Sequence, residues 1–391
     1  MNNTNLAQTT TTPYEIEVES ADGIYIYDKE GKRYADLISG IAVSNLGHNN
    51  KRIKDAIKNQ VDKYLHVMVY GEYKQAPQQE LANLLAALLP EQLNSTFFVN
   101  SGTEANEGAL KLAKRVTGRT ELVSCHKSYH GSTHGSLSVT GNEQKKYHVR
   151  PLLPGVSFME FNEEKDLELI TNKTAAVIIE PIQGDAGVRI PSLAYMQALR
   201  KKCDDTGALL IFDEIQTGFG RTGKLFAFEH FNVIPDILTI AKAMGGGMPI
   251  GAFVSTHEYM NQLTFNPVLG HITTFGGHPV NCVSALENLK ILTEGTLLKE
   301  VEKKGELFEK IISHPAIVEI RRIGLFFAIE MKNADIVQDV VLKCKDRGVL
   351  SFWFLSNPQS FRIAPPLIIT EKEIKETAKI INQVIEEVTN K

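Results

Sequence analysis

The sequence predicts an α/β fold, in which a large domain with a mostly parallel β-sheet is followed by a smaller α+β domain. Between residues 96 and 254, short apolar strands such as 175–179 and 209–212 alternate with helical patterns. Continuous apolar strands between helices are typical of a parallel sheet that is covered on both faces. After about Phe275 long helices dominate, which indicates a second domain. The length of 391 residues suits two or three domains.

The N-terminal region begins with the pattern of a β-hairpin. Strand-forming residues at 23–27 and 33–35 lie on either side of a turn that contains Gly31. A helix is predicted where apolar residues recur at every fourth position, at Ile53, Ile57, Val61 and Leu65. A further helix over residues 78–89 should end at Pro90.

Strands and helices then alternate along the chain. The predicted strands of the large domain are residues 96–99, 122–123, 175–179, 209–212, 237–240 and 251–254. Helices are predicted over about 102–116 and, after Pro191, over a segment with Leu193, Met196 and Leu199. In the smaller domain, helices 281–292 and 297–312 alternate with segments 320–330, 349–354 and 361–369. The last helix should begin at a capping box of Thr370 and Glu373.

The composition argues against several classes of protein. With 42 Lys+Arg against 46 Asp+Glu, the net charge of −4 leaves no basic excess to neutralise nucleic-acid phosphates. None of the 4 cysteines forms a CxxC pair, so a zinc ribbon or a disulfide scaffold is not expected. Residues 1–13 lack the basic and apolar regions of a signal peptide, and no apolar run reaches the length of a membrane helix. We therefore expect a cytoplasmic protein without nucleic-acid or membrane partners.

Polar residues follow several of the apolar strands, at the sheet edge where ligands of open α/β sheets bind. Ser101, Gly102 and Thr103 connect one strand to a helix, and the free N–H groups at a helix start attract anions. Asp213 directly follows strand 209–212, and a buried carboxylate needs a partner such as a protonated ring nitrogen. Glu180 follows strand 175–179 in the same way.

Lys242 lies just after strand 237–240 and shortly before three glycines, residues 245–247. Burial lowers the pKa of a lysine and leaves a nucleophilic amine that is suited to a Schiff base. The glycines would leave open space beside this amine.

Each of these residues also has an ordinary structural interpretation. Ser101 or Thr103 could cap the helix, Asp213 or Glu180 could form a structural ion pair, and Lys242 could reach solvent. Any one of the segments alone is therefore a weak signal.

Together, and in this order, the segments resemble those of the class III pyridoxal-phosphate-dependent aminotransferases, over nearly the whole chain. The run Asp-Glu-x-Gln-x-Gly-x-Gly-Arg-x-Gly at residues 213–223 is highly specific. Further matching segments are residues 37–43, 46–48, 100–107, 129–131, 241–242, 271–279 and 362–367. Within the family, the sequence looks most like the acetylornithine and ornithine aminotransferases.

The resemblance implies fold type I of these transferases, with a seven-stranded, mostly parallel sheet in the large domain. It also implies three parts of the chain. An N-terminal segment, residues 1–48, would pack with the small domain, a pyridoxal-phosphate-binding domain would span 49–275, and the small domain would span 276–391.

The resemblance further implies pyridoxal 5'-phosphate as cofactor, with Lys242 and Asp213 as catalytic residues. Lys242 would carry the cofactor and then move the proton between the substrate carbon and the cofactor carbon. Asp213 would keep the pyridine nitrogen protonated, so that the ring acts as an electron sink. Gly102 and Thr103, beside Ser101, would bind the phosphate.

Other cofactor contacts implied by the resemblance lie elsewhere in the chain. Tyr129 would stack on the ring face next to His130, and Gln216 would bond to the phenolic oxygen of the ring. Thr274 would reach the phosphate of the neighbouring subunit, which implies a homodimer with shared active sites.

The substrate site departs from the pattern of the acetylornithine and ornithine enzymes. There an arginine follows the aromatic-x-Gly triplet and holds the substrate α-carboxylate, whereas this chain has Ser132, which is more typical of ω-aminotransferases. Ile41 stands where the ornithine enzymes carry a tyrosine. Asp185 replaces the glutamate that usually pairs with a second active-site arginine, here Arg362. Glu180 completes the predicted substrate-binding set.

The predicted reaction is the ping-pong transfer of an amino group from acetylornithine, ornithine or a related ω-amino donor to 2-oxoglutarate. Ser132 leaves open an ω-aminotransferase for a diamine or ω-amino acid such as 4-aminobutyrate, lysine or putrescine. An aminomutase and a cofactor-binding protein without turnover are further alternatives, and no metal is expected.

Overall fold

The computed structural model describes residues 5–390, so the first four residues of the predicted N-terminal segment lie outside the described residues. The N-terminal strands are β1 (Val18–Asp22), β2 (Tyr25–Asp28) and β3 (Arg33–Asp36). The predicted hairpin is confirmed, because β2 and β3 pair antiparallel and Gly31, with φ +81°, lies in their turn. Strand β1 is absent from the prediction because it is mostly polar and exposed.

A left-handed turn, α1 (Ser39–Ala42), follows β3. Its four residues all have φ between +51° and +66°, a conformation that costs a non-glycine residue about 1–2 kcal/mol. The buried Asp36 holds the turn, since its Oδ1 accepts hydrogen bonds from the N–H groups of Ile38 and Ser39, both at 2.9 Å. Nothing in the sequence except Gly40 favours this backbone.

The large domain alternates helices and strands as predicted. Its elements are α2 (Lys51–Val61), α3 (Ala76–Leu88), β4 (Ser95–Val99), α4 (Gly102–Thr117), β5 (Glu121–Cys125), α5 (His134–Ser138), β6 (Val156–Met159), β7 (Thr174–Ile179), α6 (Leu193–Thr206), β8 (Leu209–Asp213), β9 (Ile237–Ile240), β10 (Gly251–Ser255) and α7 (His257–Asn261). Short 3-10 helices lie at Glu143–Lys145, Tyr147–Val149, Glu164–Leu169, Ala227–His230, Lys242–Gly245 and Gln262–Thr264.

The central sheet has seven strands in the order β4-β10-β9-β8-β7-β5-β6. All of its strands run in one direction except β10, which is antiparallel to both of its neighbours. The prediction of a mostly parallel sheet is confirmed, although β6, a short edge strand, is absent from the prediction. The reversed β10 brings the start of one strand to the edge where the other six end.

The two faces of the sheet belong to different hydrophobic clusters. Along β7, Ala176 and Ile178 pack on the side of α4, while Val177 and Ile179 contribute to the larger core on the other side. Because successive strand residues point to opposite faces, an uninterrupted apolar strand needs cover on both. The polar ends of the strands are thus left at the edge of the sheet.

The C-terminal part contains α8 (Pro279–Glu294), α9 (Leu297–Ile311), β11 (Ile317–Ile323), β12 (Phe326–Met331), α10 (Ala334–Asp346), β13 (Val349–Leu350), β14 (Phe352–Trp353), β15 (Ser360–Ile363) and α11 (Glu371–Thr389). Four of its strands form an antiparallel sheet in the order β11-β12-β15-β14. The predicted capping box is confirmed, with Thr370 N donating to Glu373 Oε2 at 2.8 Å and Glu373 N donating to Thr370 Oγ1 at 3.3 Å. Among residues 5–390, every helix is too short or too polar to cross a membrane.

Several predicted boundaries are wrong. Helix α2 ends at Val61, and Leu65 is exposed beyond it, because the chain turns where Lys63 N donates to Gln60 O. The predicted segment 349–354 contains two short strands, β13 and β14, which belong to different sheets. The prediction also lacks α10, although its buried Val337, Val340, Val341 and Cys344 have helical spacing.

The N-terminal segment contacts the C-terminal part. Strand β13 pairs parallel with β3, and Ala364 N donates to Leu37 O at 2.7 Å. These contacts support the predicted packing of residues 1–48 with the small domain. The division at residues 48 and 275 stays a prediction.

Candidate active site

The polar strand ends enclose a cavity of about 580 Å³, here called the strand-end cavity. Strands β4, β7, β8 and β9 bring their carboxyl ends to it, and residues 247–250, which lead into β10, also line it. It is lined by Asn100, Ser101, Gly102, Thr103, Tyr129, His130, Ser132, Glu180, Asp213, Gln216 and Lys242, among others. Most of the residues predicted for cofactor binding therefore meet in one place.

Lys242 lies in this cavity with a strained backbone, because its φ of +47° falls in the left-handed region. Its side chain is partly accessible from the cavity and makes no hydrogen bond or ion pair with any of residues 5–390. Burial lowers the pKa of the amine, and the nearby Asp213 opposes that shift. Of the three following glycines, only Gly247 has open space beside its Cα. A nucleophilic amine facing a cavity is what the sequence predicts here.

Asp213 is held from two sides at the end of β8. Its Oδ2 lies 2.7 Å from Nδ1 of His130 and accepts a hydrogen bond from Nδ2 of Asn106 at 2.8 Å. Its Oδ1 accepts a hydrogen bond from Ile215 N at 3.1 Å. These contacts fix the carboxylate in one orientation while it still lines the cavity.

The start of α4 also lines the strand-end cavity. Ser101 caps the helix, since its Oγ accepts from Glu104 N at 3.3 Å. In residues 5–390, the N–H groups of Gly102 and Thr103 have no hydrogen-bond acceptor. The Thr103 hydroxyl lies 2.6 Å from that of Ser136. Free N–H groups at a helix start bind an anionic group.

These observations fit a planar aromatic cofactor with a phosphate tail. Unpaired N–H groups, a fixed carboxylate and an unpartnered amine all line the cavity. A Cβ at residue 102 would lie 2.7 Å from Cδ1 of Ile215, so a side chain there would have to displace Ile215. The residues present are therefore compatible with pyridoxal phosphate.

Tyr129 and Gln216 form a boundary between this cavity and a second one. Tyr129 is partly buried, and its hydroxyl lies 3.1 Å from Oγ of the exposed Ser132. The side chain of Gln216 passes so close to Gly184 that a Cβ there would lie 2.1 Å from Oε1 of Gln216. Both residues line both cavities.

The second cavity, here called the Arg362 cavity, has a volume of about 390 Å³. It is lined by Ile41, Tyr129, Lys145, Asp185, Gln216, Lys242, Phe352, Trp353, Leu355 and Arg362. Lys242 thus faces both cavities. Ile41, with φ +66°, enters from the left-handed turn α1.

Arg362 is only 4% exposed, and burial lowers the pKa of its guanidinium group while Asp185 opposes the shift. Nη2 of Arg362 lies 3.3 Å from Oδ1 of Asp185, and the guanidinium stacks 4.4 Å from the centroid of the Phe354 ring. Asp185 also accepts hydrogen bonds from Ser356 Oγ at 2.9 Å and from Leu355 N at 3.3 Å. Among residues 5–390, only Nη2 of the guanidinium has a hydrogen-bond acceptor, so Arg362 keeps donors for a further anion.

Glu180 and Thr274 do not line the Arg362 cavity. Glu180 lines the strand-end cavity and not the Arg362 cavity, and its oxygens accept from Tyr129 N and Gly184 N, both at 3.2 Å. Burial raises the pKa of Glu180 to about 7. Thr274 is exposed and lines neither cavity.

Three residues of the matching motifs have roles that the sequence interpretation misses. Asn106 orients Asp213. The signal for this role in the sequence is that Asn106 is a polar residue on the buried face of α4. Arg221 is fully buried and donates to Leu325 O at 3.0 Å and Pro365 O at 2.6 Å, so it ties the large domain to the C-terminal part. Glu214 caps the Ala227–His230 turn by accepting from the N–H groups of residues 227 and 228 at 2.6 and 2.7 Å.

Comparisons with known proteins agree with this geometry. The family model described as aminotransferase class-III matches residues 6–385. The chain is 38% identical to the acetylornithine aminotransferase of Caldanaerobacter subterraneus subsp. tengcongensis, over 96% of each chain. It is 35% identical to the LysW-aminoadipate semialdehyde/glutamate semialdehyde transaminase of Sulfolobus acidocaldarius, also over 96% of each chain. The crystal structure of the ornithine aminotransferase from Toxoplasma gondii matches with a TM-score of 0.91 at 28% identity, covering 98% of this chain and 93% of that one.

The match over nearly the full length confirms the resemblance that the motifs predict. The cofactor prediction is confirmed with it, because the family uses pyridoxal phosphate and the strand-end cavity is compatible with that group. The chain belongs to the class-III aminotransferases and is a pyridoxal-phosphate-dependent transaminase.

Proposed function

We propose that the enzyme moves an amino group from acetylornithine, ornithine or a related ω-amino donor to 2-oxoglutarate by a ping-pong mechanism. The observation that carries this proposal is that Arg362 and Lys242 line one cavity. A buried guanidinium selects a carboxylate, and the lysine amine lies where the reacting amino or oxo carbon of the same molecule would be held.

The cofactor, when bound, supplies an electron sink for the carbanion that forms at the substrate carbon. We assign its phosphate to the N–H groups of Gly102 and Thr103, next to the Ser101 cap. Tyr129 would cover one face of its ring, and Gln216 would donate to its phenolic oxygen. Asp213 would hold the proton on the ring nitrogen.

His130 and Asn106 act on Asp213 rather than on the substrate. Their bonds to Oδ2, at 2.7 and 2.8 Å, fix the orientation of the carboxylate. Lys242 would hold the cofactor covalently and would then carry the proton from the substrate carbon. The lowered pKa of its amine suits both steps, since a neutral amine is needed as nucleophile and as base.

Arg362 is expected to release Asp185 when a carboxylate enters and to pair with it otherwise. Asp185 tolerates the exchange because Ser356 and Leu355 also donate to it. The closed pair accommodates a donor whose reacting end carries no carboxylate. The open pair accommodates an oxo acid, which carries a carboxylate at its reacting end.

Replacing Arg362 by alanine should therefore affect the two half-reactions unequally. Truncating one member of a buried charge pair costs about 2–5 kcal/mol, so kcat/KM for 2-oxoglutarate should fall roughly 30- to 5,000-fold. A monoamine donor without a carboxylate should lose far less. Stopped-flow comparison of both half-reactions in one preparation measures this, and equal losses would contradict the anchor role.

A second candidate, an ω-aminotransferase for a diamine or ω-amino acid, is favoured by Ser132 at the cavity mouth. An aminomutase is a third and would turn over a single substrate without an added oxo acid. A half-reaction screen of acetylornithine, ornithine, lysine, 4-aminobutyrate and putrescine separates these candidates by the absorbance change of the cofactor. The proposal predicts the fastest change with acetylornithine or ornithine, and faster reaction with putrescine would favour the second candidate.

We further propose a homodimer with shared active sites, in the cytoplasm. Supporting the dimer, the segment 265–275 carries a cluster of exposed apolar side chains, which monomers rarely present to water. They are Phe265, Val268, Leu269, Ile272 and Phe275. Thr274 lies within this segment, so a partner that covers it would bring Thr274 to the partner's cofactor.

Subunit complementation tests the shared site. In a heterodimer of Lys242→Ala and Thr274→Ala subunits, one of the two shared sites has both residues intact. We therefore expect the activity of the heterodimer to exceed the mean activity of the two parent homodimers. Heterodimers purified through two different tags allow the comparison. Activity no higher than that mean would contradict a contribution from the neighbouring subunit.

A further inference from the structure

The Arg362 cavity contains a second cation, Lys145, which neither the motifs nor the proposed function uses. We propose that Lys145 binds the substrate carboxylate that lies farther from the reacting carbon, in place of the arginine that Ser132 replaces. This inference rests on the proposed function and deepens it, because it names the residue that selects substrates with a remote carboxylate.

Lys145 has no ion-pair partner among residues 5–390, because the nearby carboxylate is paired with other cations. In the segment 142–150, the carboxylate of Glu143 is held by both Lys146 and Arg150, each at 2.6 Å. Lys145 makes no ion pair with any of residues 5–390. Its ammonium instead lies 5.0 Å from the centroid of the Tyr129 ring, over the residue that divides the two cavities.

A chain of hydrogen bonds fixes the position of Lys145 relative to Arg362. Asn142 caps the 3-10 helix Glu143–Lys145 by accepting from Gln144 N at 3.1 Å, and it donates to Ser356 Oγ at 3.1 Å. Ser356 donates in turn to Asp185, the partner of Arg362. The turn that carries Lys145 is therefore tied to the counter-ion of the arginine.

Both Lys145 and Ser132 contact Tyr129, Lys145 over the ring and Ser132 at the hydroxyl. A hydroxyl at 132 cannot neutralise a carboxylate, whereas an ammonium group on a flexible stem can reach one. With Arg362 and Lys145 as separate cationic positions and Lys242 lining the same cavity, the geometry suits a molecule with two charged ends. A dicarboxylic oxo acid, or an ω-amino acid that reacts at its amino end, has this form.

Binding of two unreactive acids to the loaded enzyme tests the inference first. Glutarate carries two carboxylates, and pentanoate has the same chain length with only one. Because one charge-assisted hydrogen bond is involved, Lys145→Gln should weaken glutarate binding roughly 10- to 100-fold in calorimetry and leave pentanoate unchanged. Lys145→Arg should retain glutarate binding. Lys173→Gln is the matched control, since Lys173 is exposed at the start of β7, the opposite end of that strand from the cavity.

The half-reactions with 2-oxoglutarate and 2-oxopentanoate give the second measurement. Lys145→Gln should raise KM and lower kcat/KM for 2-oxoglutarate alone. Selective loss of glutarate binding in an enzyme that does not use 2-oxoglutarate would support the inference and overturn the proposed acceptor. Unchanged glutarate binding, or equal losses for glutarate and pentanoate, would overturn the inference.

Discussion

Replacement of Lys242 by alanine is expected to abolish nearly all multiple turnover. Two proposed functions would disappear together, because we assign to this amine both the covalent attachment of the cofactor and the proton transfer at the substrate carbon. Proton transfer alone contributes about 10²–10⁴-fold to such reactions, and loss of the covalent attachment adds to that. Steady-state kcat with the best donor and 2-oxoglutarate measures the effect.

Cofactor binding should survive in this variant, although more weakly. The N–H groups of Gly102 and Thr103 and the carboxylate of Asp213 are unaffected by a truncation at residue 242. Cofactor content after dialysis therefore separates loss of chemistry from loss of the site, with Lys173→Ala as the control for changing a lysine. Normal multiple turnover by a purified Lys242→Ala enzyme would contradict the assignment.

Asp213→Asn is expected to cause the second-largest loss. Asparagine is nearly isosteric and can keep the bond from Ile215 N, so the fold should remain intact. An uncharged amide cannot stabilise a positive charge on the ring nitrogen, and removing a preorganised electrostatic contact of this kind costs about 10²–10³-fold or more. Single-turnover rates with a saturating donor measure the chemical step directly.

Variants of the neighbouring residues refine this prediction. Asn106→Ala removes one of the two contacts to Oδ2 of Asp213 but keeps its charge, so we expect a smaller loss than with Asp213→Asn. An Asp213→Asn enzyme with the wild-type single-turnover rate would show that the carboxylate serves another purpose.

The central site was predictable because its residues share one local rule. Gly102, Glu180, Asp213 and Lys242 each follow an apolar strand, and parallel strands bring their carboxyl ends to the same edge of a sheet. The sequence interval between them is irrelevant once the strands pair. Only β10 departs from this rule: it runs antiparallel, so the residues that precede it, 247–250, line the cavity.

Other parts of the site depend on contacts between distant segments and could not be predicted in this way. The left-handed turn that carries Ile41 is held by Asp36, and nothing in its own sequence apart from Gly40 suits that backbone. Lys145 appears in the sequence as one of several charges near residue 146. Only the structure shows that Glu143 forms ion pairs with Lys146 and Arg150 and that the Lys145 ammonium lies over Tyr129.

Borohydride reduction of the cofactor-loaded enzyme, followed by proteolysis and mass spectrometry, tests the central assignment most directly. Reduction makes the bond between the cofactor and its lysine permanent, so the modified peptide identifies the residue. We predict that the added pyridoxyl-phosphate mass lies on Lys242 and is absent from the Lys242→Ala enzyme. A label on Lys145 or any other lysine, with Lys242 unmodified, would contradict the account.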